Sequence, residues 1–203
     1  MICTVCCATK RQVEIRCPVD CVYLSSARAH PPAVVQRRQE RDVSFILSIV
    51  SELTDTQYRL LLLFQSATIT HAAGALPKLR DEDVAEAAAA AASTIETARK
   101  GIIYEHQAVS VPAQRLTTEL GRVVADLSAQ AGSQLARFER DAAVALRHLE
   151  RGARTAGKPG TPLEGDDPPV YLNLLTRMLK NPATSPEAGA PAAPAGGGLI
   201  IPP

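Results

Sequence analysis

Five cysteines lie within the first 21 residues, and none follows in the rest of the 203-residue chain. They are spaced Cys3-x2-Cys6, then ten residues, then Cys17-x3-Cys21, with Cys7 left over. A C-x2-C turn aims its backbone N–H groups at two thiolates, so both sulfurs can face one ion. Pro18 suits the first turn of a helix, and a C-x3-C pair there puts both sulfurs on one side. A helix N-terminus also favours negatively charged sulfur. Cys3, Cys6, Cys17 and Cys21 can therefore close a tetrahedral Zn2+ site, one ion per chain. Four sulfurs leave no open position for substrate, which makes the expected metal structural. A module this short has little core of its own and depends on its ion to fold.

An iron–sulfur cluster is the alternative, since four cysteines meet its demands as well. Cys6 and Cys7 can exchange roles; the x2 spacing selects Cys6. The pattern resembles a compressed treble-clef or zinc-ribbon knuckle, with a C-x2-C turn, a minimal hairpin carrying RQVEI (11–15), and a second pair at a helix start. It departs from that pattern in its short intervening segment and in C-x3-C where C-x2-C is commoner.

Other chemistry-bearing residues are sparse. His30, His71, His106 and His148 occur without H-E-x-x-H or Glu-x-x-His spacing, so neither a zincin nor a carboxylate-bridged di-iron bundle has its ligands. His106, within Tyr104-Glu105-His106-Gln107, reads either as a polar site at a loop or as a helix-terminal cap. Arg115, Arg122, Arg137, Arg140, Arg147, Arg151 and Arg154 could form a nucleic-acid stripe. Interspersed Glu119, Asp126, Glu139, Asp141 and Glu150 make charge pairing on a solvated face the better account. No P-loop, dinucleotide fingerprint or Ser-His-Asp arrangement is present.

The elements that must carry these residues are helical. Pro18 to His30 spells a short helix, and Pro31-Pro32 opens another over 31–53. Thr54 or Asp55 caps a third, starting near Thr56, whose LLLLF (60–64) is apolar on every face and stops at Gly74 and Pro77. Asp81, Glu82 and Asp83 favour a helix start. Val84, Ala88, Ala91, Ile95, Ala98, Ile102 and His106 then step by three and four, predicting about 25 helical residues. After Pro112, Leu116, Leu120, Val123, Leu127, Ala131, Leu135, Phe138, Ala142, Ala145 and Leu149 continue the step. That predicts one helix of roughly 40 residues and about 60 Å, with a bend at Gly121 or Gly132. Joined near 107–112, the two stretches form a coiled-coil-like antiparallel hairpin. Residues 157–169 read as a linker, 168–180 as a short amphipathic helix, and the Ala/Pro/Gly tail after Asn181 as disordered until its apolar end LIIPP.

CxxCC…CPxDCxYL, with IIYEHQ…VPAQRL further on, resembles uncharacterised bacterial proteins with a cysteine-rich N-terminus and a helical body. The resemblance spans most of residues 1–155 and implies that fold, with no activity attached.

Composition agrees with helix-on-helix packing: aromatics are 3% with no Trp. Twenty-two Lys and Arg against 21 Asp and Glu leave a net charge of +1, which demands no polyanionic partner. No run approaches a membrane span and no secretory signal opens the chain, so a reducing cytoplasmic setting is expected. The sequence thus predicts an all-α bundle (31–155) with a long antiparallel hairpin, a zinc knuckle (1–30), a linker and short helix (156–181), and a disordered tail (182–203). The expected role is a non-enzymatic adaptor or assembly protein. It would meet a protein partner or itself through the bundle or through Leu199, Ile200 and Ile201. The alternatives are a zinc-dependent nucleic-acid-binding regulator and a thiol-based redox sensor or metalloenzyme.

Overall fold

The computed structural model describes Lys10 and residues 33–180. The five cysteines, RQVEI, the expected Pro18–His30 helix and the tail with LIIPP lie outside the described residues. The chain divides into two compact units, Met1–Val43 and Ser44–Pro203. The boundary falls inside helix α1 (Ala33–Val50). All the regular structure among the described residues is helical, and the helices from residue 55 onward belong to the second unit.

Helix α2 (Asp55–Gly74) begins where its capping chemistry dictates. Thr54 Oγ1 accepts from Gln57 N, and Gln57 Oε1 accepts from Thr54 N at 3.1 Å, so the side chains satisfy two otherwise unpaired amides. Leu60, Leu61, Phe64 and Thr68 enter the core. The expected burial on every face does not hold, because Leu63 is exposed.

Helix α3 (Asp81–Ala98) packs through Ala85, Ala87, Ala88, Ala91 and Ala92, small side chains that let neighbouring helices approach closely. It stops well short of the predicted His106. Gly101 takes φ +79°, and Ile102 N donates to Thr97 O at 3.2 Å, a left-handed glycine cap that returns a hydrogen bond to an end carbonyl.

Helix α4 (Val111–Ala131) starts at Ser110, whose Oγ accepts from Ala113 N, with Pro112 in the first turn. The predicted single helix of roughly 40 residues is two. Gly132, at φ +50°, opens a 3₁₀ turn (Gly132–Gln134) that ends α4, and α5 (Leu135–Thr155) follows.

Side-chain contacts fix the directions. Asp83 in the first turn of α3 accepts from Ser110 Oγ at 2.7 Å, and Glu86 accepts from Val109 N. Helices α3 and α4 therefore begin side by side, and further along Ala91 and Ile95 face Gly121 and Val124. The two run parallel. The antiparallel hairpin expected about 107–112 is replaced by a return segment, residues 102–109, that retraces α3. Arg147 of α5 bonds Ser93 and Glu96, whereas Ala153 lies beside Asp81 and Ala85, so α5 runs against α3. Gln57 Nε2 donates to Asp141 Oδ1 at 2.8 Å, placing the start of α2 beside the early part of α5. Helix α3 packs most extensively on α5, and the circuit of neighbours is α5 with α2, α2 with α4, and α4 with α3.

Helix α6 (Val170–Lys180) seats Val170, Tyr171, Leu172, Leu174 and Leu175 in the same core, and Leu163 from the preceding turns is fully buried there. Its N-terminus is held by Asp81, whose carboxylate accepts from Tyr171 N at 2.9 Å and Leu172 N at 3.1 Å. Burial raises the Asp81 carboxyl above its ordinary 3.8, outweighing those two bonds. The folded chain thus binds a proton there at a higher pH than the unfolded chain. This group's contribution to stability is fully present below the unfolded value and declines as pH rises through the folded one. Asp81→Asn is expected to flatten that decline and to be less stable throughout, since its amide nitrogen must face one of the two N–H donors. Urea midpoints of both proteins across acidic to neutral pH test this; parallel curves refute it.

Candidate functional site

The return segment is the least ordinary part of the surface. Ile103 and Val109 are 101% and 96% exposed, and Ile102, Tyr104 and Val111 are exposed beside them. Monomers seldom display large apolar side chains so closely spaced without use. Hydrogen bonds pin the segment at Ile102, whose N–H donates to Thr97 O, and again from His106 to Ser110. His106 N donates to Thr94 Oγ1 at 2.9 Å, and His106 Nε2 pairs with Thr97 Oγ1 at 2.9 Å. Ala108 N donates to Gln114 Oε1 at 2.7 Å, and Val109 N and Ser110 Oγ reach Glu86 and Asp83. Tyr104 stands edge-on to the His106 ring, centroids 4.8 Å apart. The amides of His106, Ala108 and Val109 bond to side chains of α3 and α4, and Ile102, Ile103, Tyr104 and Val109 are left exposed.

Beneath the segment, α3 and α4 leave a cleft of about 360 Å³. Ala91, Ile95 and Val124 form its apolar part; Thr94, Thr117, Thr118, Gln114, Glu105, His106 and Gln107 supply polar atoms. A second groove of about 580 Å³ lies along Asp81, Glu82, Glu86, Arg154, Lys158 and Asp166. One of its carboxylates, Asp81, is already engaged in capping α6.

His106 is neither helical nor a cap of its own helix; it is the clamp that fixes the return segment to α3. His148 is a core residue whose Nδ1–H donates to Ile49 O at 2.6 Å, while Arg151 approaches Nε2 at 2.7 Å. Six of the seven arginines singled out above are engaged with protein groups. Arg115 bonds Leu76 O, and Arg122 pairs with Glu119 and Asp126. Arg137 pairs with Asp141, Arg147 with Glu96 and Glu150, Arg151 with Glu52, and Arg154 with Glu150. The Arg147 hydrogen bonds hold the Glu96 carboxyl below its usual value, and Glu96 in turn raises the guanidinium.

The metal set Cys3, Cys6, Cys17 and Cys21, the spare Cys7, and Leu199, Ile200 and Ile201 all lie outside the described residues. Among the described residues no three His, Cys, Asp or Glu side chains gather as a metal-binding group, and no helix is long and apolar enough to cross a membrane. Sequence reasoning placed Ile102 on a helix face and so missed the exposed segment. The signal that marks it is Gly101 and Pro112 bracketing Ile-Ile-Tyr. Comparison with known proteins finds no matching family model, no matching curated protein and no matching solved structure.

Proposed function

We propose that this chain is a non-enzymatic interaction protein, an adaptor or assembly component of a reducing cytoplasmic compartment. Its N-terminal module holds one structural Zn2+ through Cys3, Cys6, Cys17 and Cys21. The return segment of the bundle is its principal contact surface for a protein partner, and Leu199, Ile200 and Ile201 are a second contact. One observation supports this reading above the others: Ile102, Ile103, Tyr104, Val109 and Val111 are exposed on a segment that its own hydrogen bonds hold in place. A surface that is already ordered loses little conformational entropy when a partner covers it, so its apolar area converts more fully into affinity. The pairing of most α4 and α5 arginines within the protein favours this reading over a nucleic-acid stripe.

Ile103→Asp with Val109→Asp tests it. Both side chains are solvent-exposed, so unfolding free energy is expected to stay within about 0.5 kcal/mol of the parent. Crosslinking in a host extract identifies the partner, and reconstitution with that purified partner is expected to show a loss of about thirtyfold or more, the size of a hot-spot truncation. Unchanged partner affinity in the double variant would remove the segment from the interface. Deleting residues 199–203 tests the tail contact in the same reconstitution.

A further inference from the structure

We propose that the cleft between α3 and α4 is a binding site for a small amphipathic amine, an ammonium group on a compact apolar body. Its volume, about 360 Å³, lies in the lower part of the roughly 300–1,000 Å³ range of small-molecule sites. The wall at Gly121 is open to the helix backbone: a Cβ built there meets nothing within 4 Å. A glycine inside a helix costs about 0.5–1 kcal/mol relative to alanine, and here it leaves room for a ligand beside Ile95 and Val124.

The polar atoms select the head group. Thr117 Oγ1 donates to Ala113 O at 2.9 Å and Thr118 Oγ1 to Gln114 O at 3.1 Å, so both hydroxyl protons are spent on helix carbonyls. What these threonines can offer a ligand is acceptor lone pairs. Glu105 is the lining carboxylate, exposed and without an ion pair to another described residue. His106 is fixed through its backbone N–H and Nε2; Gln114, whose Oε1 accepts from Ala108 N, presents its Nε2 as a donor, and the Gln107 amide can serve either polarity. Among the described residues no Lys or Arg lines the cleft. Acceptor oxygens and one carboxylate around an apolar floor suit a charged N–H donor and oppose a carboxylate ligand.

The probes are 2-phenylethylamine and phenylacetate, similar in body and opposite in charge, titrated into the full-length protein and followed by amide NMR shifts. The amine is expected to shift Gly121, Thr118 and Gln107 saturably and to bind about tenfold or more tighter than phenylacetate. Glu105→Gln is expected to weaken the amine about five- to tenfold. Gly121→Leu fills the cleft from an unobstructed position and is expected to abolish the shifts while the protein melts no lower than the parent. Ala125→Leu, on the same wall, provides the block should Gly121→Leu fail to fold. Ile103→Asp is expected to leave the titration unchanged, which separates this site from partner docking. Equal binding of the two probes, saturation elsewhere only, no saturable shift, or persistence of the shifts in a filled cleft would each overturn the proposal.

Discussion

Tyr171→Ala is expected to lower the unfolding free energy by about 3–5 kcal/mol, the cost of removing a buried aromatic ring. Tyr171 is fully buried, stands edge-on to Phe45 with ring centroids 6.5 Å apart, and accepts from Gln65 Nε2 at 3.0 Å. Burial raises its hydroxyl well above the ordinary tyrosine value, so it stays protonated as a neutral group at any working pH. The ring presses so closely on α5 that a Cβ built on Gly152 would lie 2.9 Å from three of its atoms. Deleting the ring opens a void between α2, α5 and α6 and strands the Gln65 amide in the core. Tyr171→Phe keeps the packing and strands only the amide, for about 1–3 kcal/mol. Gly152→Ala attacks the same contact by overfilling it. Denaturant unfolding should rank Tyr171→Ala below Tyr171→Phe; a loss under about 1 kcal/mol for the alanine variant would mean that α6 is not an integral part of the core.

The second large effect concerns the proposed metal. Purified protein is expected to carry about one zinc per chain, and Cys17→Ser or Cys21→Ser to lose it. Structural zinc contributes about 10–16 kcal/mol of apparent binding free energy in small modules, so one missing thiolate is decisive. Cys7→Ser should be far milder. Chelation should unfold the N-terminal module and leave the helical signal of residues 44–180 in place, because the bundle draws its stability from its own apolar core. Iron with labile sulfide, absence of metal, or equal losses at all five cysteines would each refute the assignment.

How far the fold was legible can be followed residue by residue. Local chemistry was readable: Thr54, one of the two candidate caps with Asp55, does cap α2, and the three-and-four stepping of Val84, Ala88, Ala91 and Ile95 names the buried face of α3. Leu116, Leu120, Ala142, Ala145 and Leu149 are likewise buried where the periodicity put them. Helix ends and directions were not. Apolar spacing resumes after Gly132 almost in step, so a helix that folds back reads like one that continues; positive φ at one glycine decides between them. The same periodicity also runs on through Gly101, whose positive φ ends α3. The parallel course of α3 and α4 rests on Asp83 and Glu86 meeting Ser110 and Val109, hydrogen bonds between residues far apart in sequence that no pattern within one helix encodes. The cleft was hidden for a related reason. Gly121 reads as a weak helix position until α3 is known to lie beside it.

The return segment also bears on how fast the bundle can assemble. In an up-and-down bundle each helix folds onto the one before it, and local pairing sets a rapid pace. Here the successive helices α2 and α3 pack chiefly on α4 and α5, and the most extensive pairing joins α3 to α5. Loops must therefore close over long stretches of chain before burial repays their entropy. On a ribosome much of the apolar surface of α2 and α3 stays uncovered until α5 has emerged. Folding slower than that of an up-and-down bundle of this size, with a window of exposure to chaperones during synthesis, is the kinetic consequence of a chain that doubles back along α3 before starting α4.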